Sequence, residues 1–444
     1  MPTRRDFLLT SSVSVAGAAI GASVANAGLR DAGSTAISPA QLSDTTKVKG
    51  LPPAIAALKS MRDRATPITV DERRARIEKA RRLMREQGID AILLTGGTSL
   101  DYFTSIKWGL SERLLAFVLP VNGRAFVVSP AFERDRALEQ IAAGPMAGDG
   151  DVMTWDEHES PFALVADGLK ARGIGAGTLG AEETVRYVFT DNVSKAAPAL
   201  KVVSATPVTA GCRGVKSDHE VALMRLASAV TLKAYEAAYR SLKPGMTQND
   251  FAELVSAAHK QLGFTGGAGV QVGKFSALPH GSITPQRIEE GTILLMDGGC
   301  TVEGYQSDLS RTFVLGKPSD KMRKVFDIVH LAQATAVKTA RPGLACEAVD
   351  AAARGVITSA GYGPDYKYFG HRVGHGIGMD GHEWPYLVRG NTLALAPNMT
   401  FSDEPGVYIP GEFGVRLEDD MLITADGATL LTPQSPSLED PFGS

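Results

Sequence analysis

Four carboxylates at matched places in two stretches of the chain, with a histidine-rich segment between them, are the side chains best suited to do chemistry. Asp297 ends the apolar run that starts at Thr292 and has Gly299 two residues on; Glu404 ends the run that starts at Met399 and has Gly406 two residues on. Each stretch then offers a second carboxylate on a returning strand, Asp308 in the first and Glu418 in the second. Four carboxylates meeting at one buried centre repel one another and cannot all stay ionised without cations, and two divalent metals supply the compensating charge. The imidazole source is Gly370–Gly378, which holds His371 and His375, followed closely by Gly381-His382-Glu383. Carboxylates with imidazole and no thiolate suit Mn, Fe, Co or Zn in a catalytic site rather than a structural zinc. Such a pair lowers the pKa of a water and polarises a carbonyl.

Elements must bring these residues together, and the second half of the chain reads as a duplicated unit. Lys243-Pro244-Gly245-Met246 precedes a helix ending near Gly263, and Arg341-Pro342-Gly343-Leu344 precedes one ending near Gly361. Each helix is followed by one of the two carboxylate hairpins, so two halves folding face to face converge all four acids. The unit opens at the capping box Ser217-Asp218-His219-Glu220, the start of a long amphipathic helix to about Leu242. Upstream, a capping box at Thr69–Glu72 starts a helix stopped by Gly88, and Ile89–Leu94 reads as a strand. Leu114–Leu119 and Arg124–Val128 form a hairpin through Asn122-Gly123. Helical and strand patterns then alternate through Pro161–Arg172, Thr178–Ala181, Val185–Ala197 and Lys201–Val208, an α/β domain without a cluster of ligand-type residues. The expected organisation is residues 67–212 for this domain and 213–444 for the duplicated one.

The whole chain has 444 residues, 46 Lys+Arg against 49 Asp+Glu, 44% hydrophobic and 21% charged residues. That balance has no basic excess and argues against nucleic acid as a partner. Cys212, Cys300 and Cys346 lie far apart and make neither a disulfide framework nor a thiolate zinc site. Residues 1–27 carry Arg4-Arg5-Asp6-Phe7-Leu8-Leu9, a weakly apolar run and the ending Ala25-Asn26-Ala27, which reads as a twin-arginine signal peptide. Export to the periplasm is therefore expected, with residues 28–66 a polar linker. The apolar run is too interrupted to span a membrane, so a membrane-embedded protein is not expected.

The ordered set Asp297, Asp308 within Tyr305–Thr312, the segment His375–Gly378, Glu404-Pro405-Gly406 and Gly414–Asp419 resembles the M24 metallopeptidases of the pita-bread fold. Within that group the chain is most similar to Xaa-Pro aminopeptidases and prolidases, because Tyr102–Thr104, Ser111–Arg113, Pro130–Glu133 and Trp155–Glu157 sit where a creatinase-like N-terminal domain has its usual motifs. The resemblance covers roughly residue 70 onward and five ligands in order, far beyond any single motif. It implies an α/β creatinase-like domain followed by an α+β pita-bread catalytic domain with a pseudo-twofold internal repeat. It further implies that Asp297 and Asp308 bind one metal, His375 and Glu404 the other, and that Asp308 and Glu418 bridge, with Mn the expected ion and Co, Fe or Zn alternatives.

By the same resemblance, His280 contacts the substrate's scissile region, His382 hydrogen-bonds the scissile carbonyl or the developing oxyanion, and His371 marks the proline-directed members. Glu404 is proton shuttle as well as ligand. Arg416, two residues before Glu418 and on the same strand face, is suited to orient the metal carboxylates. Period two points Asp403 and Asp419 away from the ligands, so these and Asp420 read as solvated or supporting. His158, His219, His259 and His330 read as surface or helix positions, and Cys300 as a packing residue. The implied substrate is a peptide with proline at its second position, and the implied assembly a homodimer. The same fold acting on a small non-peptide substrate, ectoine-like or dimethylsulfoniopropionate-like, is the enzymatic alternative; a metal-free binding protein is disfavoured because all five ligands are present.

Overall fold

Alternate residues of the short apolar strand β1 (Ala91–Leu94) feed two separate hydrophobic layers, which places it in the middle of a sheet covered on both faces. Ile92 and Leu94 pack with Ile77 and Met84 of the helix Val70–Gln87, while Ala91 and Leu93 pack with Val165 and Leu169 of the helix Pro161–Lys170. The sheet adds β2 (Ala116–Pro120), β3 (Phe126–Pro130), β4 (Asp151–Trp155), β5 (Gly177–Ala181) and β6 (Leu200–Ser204) in the order β4-β3-β2-β1-β5-β6. The computed structural model describes residues 50–148 and 150–443; the expected signal peptide and most of the expected linker lie outside them.

The local signals act as their chemistry requires. Thr69 and Glu72 cap each other's backbone, and Gly88 ends the helix in the left-handed region at φ 64°. β2 and β3 pair antiparallel across Asn122-Gly123, beginning two residues later than the sequence suggests. The run Lys201–Val208 divides into β6 and the helix Thr206–Arg213, because Pro207 in the first turn favours a helix start.

The second half repeats one plan. The helices Asp218–Tyr239 and Gln248–Leu262 precede β7 (Thr265–Val272), β8 (Ile293–Val302), β9 (Tyr305–Gln306) and β10 (Leu309–Val314), ordered β10-β8-β7 with β9 on β8. The helices Asp320–Thr339 and Cys346–Ser359 precede β11 (Gly374–Gly376), β12 (Glu383–Leu387), β13 (Thr400–Asp403), the hairpin β14 (Gly406–Ile409) and β15 (Phe413–Arg416), then β16 (Asp419–Ile423) and β17 (Ala428–Leu430). Their main sheet runs β12-β11-β13-β16-β17. The repeat extends to detail: the Gly245 amide bonds the Ile288 carbonyl as the Gly343 amide bonds that of Leu395, and isolated bridges join Thr247 to Arg287 and Ala345 to Ala394. The two sheets meet where Ser310 and Glu418 exchange backbone hydrogen bonds of 3.3 and 3.2 Å. A carboxylate from the second half is thereby fixed beside the strand of the first.

The described residues from Leu51 onward form one body, and one core runs through both parts, joining Ile77, Met84 and Phe117 to Leu223, Met224 and Cys300. Within the stretch read as a polar linker, Ile55 and Met61 are buried in this core and the Met61 amide bonds the Leu262 carbonyl. No helix among the described residues is long and apolar enough to cross a membrane.

Candidate metal centre and active site

β8 and β10 present Asp297 and the segment around Asp308, and the turn from β15 to β16 presents Glu418. Ligand atoms of Asp297, Asp308 and Glu418 lie within 4.8 Å of one another, and so do those of His375, Glu404 and Glu418. The five expected ligands therefore form two triads that share Glu418. A third group of the same compactness joins Asp308, His375 and His382. The donor set suits hard divalent ions, with carboxylates predominating, one or two imidazoles and no sulfur.

The electrostatics agree with that donor chemistry. Burial, and next the charge of Asp297, hold the Asp308 carboxyl well above the ordinary carboxylate range. Burial, then the charge of Asp308, does the same to Glu418. Burial would raise Glu404 too, but its bond to His375 and the neighbouring positive charges hold it down at about 2. Arg416 sits among these acids: Nη2 is 2.7 Å from Asp297 Oδ2, Nε donates to Ser310 Oγ at 2.9 Å, and Nη1 donates to Tyr408 Oη at 3.0 Å. Ser310 Oγ lies 2.8 Å from Asp297 Oδ1 and 2.6 Å from Glu418 Oε2.

The histidines divide. His375 Nε2 faces Glu404 Oε1 at 3.2 Å while its Nδ1 meets the Gly376 carbonyl at 3.1 Å, the backbone contact that orients a ligating imidazole. The ring of His382 stacks on that of His375 with centroids 3.7 Å apart. Burial and the neighbouring His375 push its pKa down to about 4. His371 meets the Arg372 carbonyl through Nδ1 at 2.8 Å and Tyr408 Oη through Nε2 at 2.7 Å, and its Nδ1 is 3.7 Å from Glu404 Oε2. His280 is exposed on the loop whose Pro279 carbonyl accepts from Arg416 Nη1 at 3.2 Å, so its loop is tied to the site while its side chain is not.

One reading changes. Asp403, Asp419 and Asp420, read as solvated or supporting, are all fully buried. β13 and β16 are inner strands covered on both faces, so pointing away from the ligands means pointing into a second buried layer. There Asp419 accepts from Arg311 Nη2 at 2.7 Å and Gln333 Nε2 at 3.0 Å, and Asp420 accepts from Ser228 Oγ at 3.0 Å and the Asp308 amide at 3.3 Å. Sequence reasoning missed Ser310, Ser402 and Tyr408. Ser402 Oγ accepts from the His375 amide at 3.0 Å and lies 3.3 Å from Glu404 Oε1. Ser310 and Ser402 sit two residues from Asp308 and Glu404, so period two was a usable signal; Tyr408 had none, because His371 lies 37 residues away and its contact with Arg416 depends on the β14–β15 hairpin.

Comparison with known proteins agrees with this geometry. Residues 76–215 match the creatinase/prolidase N-terminal domain, and residues 222–425 match metallopeptidase family M24. The chain is 35% identical over 349 residues to Probable dipeptidase PepE of Mycobacterium tuberculosis, covering 77% of this chain and 90% of that one. It is 32% identical over 383 residues to the Xaa-Pro dipeptidase of Lactobacillus delbrueckii subsp. lactis, covering 82% and 98%. The crystal structure of dipeptidase PepE from Mycobacterium ulcerans superposes with a TM-score of 0.79 at 32% identity, over 84% of this chain and 99% of that one.

These relatives correct the expected export to the periplasm. They are dipeptidases accounted for over 90% and 98% of their own length by 77% and 82% of this chain. The export reading rested on residues 1–27 alone, which lie outside the described residues. A receptor-read address contributes nothing to a fold or a metal site, so neither supports it, and the periplasmic assignment is withdrawn.

Proposed function

The chain belongs to metallopeptidase family M24 and is a metal-dependent hydrolase, and from that premise we propose that it is a two-metal exopeptidase cleaving the bond before proline. The observation that carries the reading is the sharing of Glu418 by two ligand triads. Asp297, Asp308 and Glu418 would hold one ion and His375, Glu404 and Glu418 the other, with Mn the expected metal. When bound, the ions supply Lewis acidity for the scissile carbonyl and acidify water.

The chain's own groups do the rest. Glu404 accepts the proton of the attacking water and returns it to the departing proline nitrogen. The Arg372 carbonyl holds the His371 proton on Nδ1, facing Glu404 Oε2 at 3.7 Å, while Tyr408 Oη occupies Nε2. At neutral pH His382 is uncharged, since burial against His375 lowers its pKa to about 4, so it offers a neutral N–H to the carbonyl oxygen as negative charge develops. Arg416 keeps Asp297 aligned through its 2.7 Å contact. The Xaa-Pro dipeptidase relative supports proline in the leaving group.

The test is a panel of X-Pro dipeptides, X-Pro-Y peptides and X-Ala controls, assayed on chelated enzyme before and after Mn or Co is restored. Turnover should require metal and favour proline. Full activity in metal-free enzyme, or equal rates on X-Ala and X-Pro, overturns the reading.

A further inference from the structure

His382 lies at the end of the loop Ile377–His382 between β11 and β12, and it is exposed apart from the ring face desolvated against His375. Its stacking on His375 therefore depends on how the loop is held. Ile377 and Met379 anchor the start of the loop, buried in the core, with Ile377 hydrogen-bonded to Thr400 at 3.3 and 2.7 Å; Gly378 bonds the Asp380 carbonyl at 3.1 Å and receives the Gln306 amide at 2.8 Å, and Gln306 Nε2 reaches the Met379 carbonyl at 2.8 Å. The charged contacts come from Thr98 and Arg213 of the N-terminal part and from Lys216 just beyond it. Arg213, at the end of the helix Thr206–Arg213, reaches Asp380 Oδ2 at 2.5 Å and pairs through the same Nη2 with Glu383, the residue after His382. Lys216 Nζ meets the other oxygen of Glu383 at 2.5 Å. Thr98, at the start of the helix Thr98–Thr104, bonds Asp380 Oδ1, and Ser99 Oγ lies 3.3 Å from Arg213 Nη1. A Cβ added at Gly378 would lie 2.6 Å from Glu383 Oε1 and 2.9 Å from Lys216 Cε, so the loop is seated directly on this cluster.

We propose that Arg213 and Thr98, both within residues 76–215 that match the creatinase/prolidase N-terminal domain, position His382 by gripping Asp380 and Glu383 on either side of it. Arg213 and Glu383 are buried, which keeps the clamp in a low dielectric and makes its geometry costly to disturb. Asp380 is the more exposed member, with 41% of its side chain accessible, so it can be changed without opening the core. The clamp lets the N-terminal part, which supplies none of the metal ligands, act on catalysis through His382. These are positioning residues; none touches the reacting atoms.

The inference rests on the proposed role of His382, so the experiment measures both. Asp380→Ala, His382→Ala and the double variant are compared for kcat, KM, bound metal and Tm on an X-Pro dipeptide with Mn restored. A displacement of about 1 Å at a catalytic group costs up to ~10²-fold in rate. Asp380→Ala should lower kcat about tenfold with KM and metal content close to wild type, and it should have no further effect on kcat in the His382→Ala background. A wild-type kcat for Asp380→Ala, or an equal loss in both backgrounds, overturns the inference while leaving His382 as a catalytic group. A wild-type kcat for His382→Ala removes the premise and the inference together. Should Asp380→Ala fail to fold, Thr98→Val withdraws a single hydrogen bond from Asp380; it should lower kcat in wild-type but not His382→Ala enzyme, and equal effects in the two overturn the proposal.

Discussion

Burial, and next the charge of a neighbouring acid, raises the pKa of both Asp308 and Glu418, the neighbour being Asp297 for the first and Asp308 for the second. Glu418 belongs to both triads and His375 to the second. Glu418→Ala should therefore abolish binding of both ions, while His375→Ala should lose one preferentially; elemental analysis of the two purified variants reads the stoichiometry directly, and equal losses would contradict the shared-ligand arrangement. A pH dependence follows from the same shifts. A carboxyl whose folded pKa is raised holds its proton where the unfolded chain has lost it, so its stabilising contribution is present at low pH and fades as pH rises through the raised value. In metal-free protein Asp308, Glu418 and Asp420, the last pushed by burial to about 8, all act in this direction. Divalent ions replace the protons on Asp308 and Glu418, so the rise in Tm on saturating with Mn should be larger at pH 8 than at pH 6. Calorimetry of both forms at the two pH values tests this, and a smaller rise at pH 8 would refute the linkage.

At the scale of the elements, the strands carrying the ligands approach so closely that side chains are excluded at set points. A Cβ at Gly299 on β8 would lie 1.7 Å from the Ser307 carbonyl oxygen, and one at Gly374 on β11 would lie 2.0 Å from that of Ser402. In both halves the glycine lets a returning chain pass beside a ligand strand. Gly299→Ala should force the segment carrying Asp308 away from β8, costing about 1–3 kcal/mol of stability together with metal affinity. Thermal melting and metal titration measure the two effects, and a variant with normal metal affinity would show that the close approach does not serve the site. The helices and hairpins here were legible in the chain, because capping boxes at Thr69 and Ser217 and stops at Gly88 and Gly263 act within a few residues. The crossing of Ser310 with Glu418 was not, since those residues lie far apart along the chain and no local rule sets their register.

At the scale of the whole molecule, the two parts are joined by buried charge as well as by apolar packing. Arg76 Nη2 lies 2.7 Å from Tyr305 Oη and 3.2 Å from Glu220 Oε1, and Tyr305 Oη donates to the same Glu220 oxygen at 2.7 Å. Arg76→Met would leave Glu220 buried without its cation, a loss of about 3–5 kcal/mol. Adding Glu220→Gln should return part of it, because the orphaned charge disappears. Denaturant unfolding of the single and double variants decides, and a double variant no more stable than the single one would show that the pair's charge is unimportant.

The sequence by itself determined the family resemblance, the two-part architecture, the duplicated helix-and-hairpin plan and the five residues that the fold gathers into two triads. Those are properties of residue type, order and short-range spacing, and they survive without coordinates. Tertiary structure alone decided which layer buries Asp403, Asp419 and Asp420, that Tyr408 links His371 to Arg416, and that Arg213 and Thr98 hold the loop of His382. Each of these depends on contacts between residues distant in sequence. Burial and buried ion pairs are properties of the assembled layers, and no periodicity along one segment states which face of a second segment will cover it.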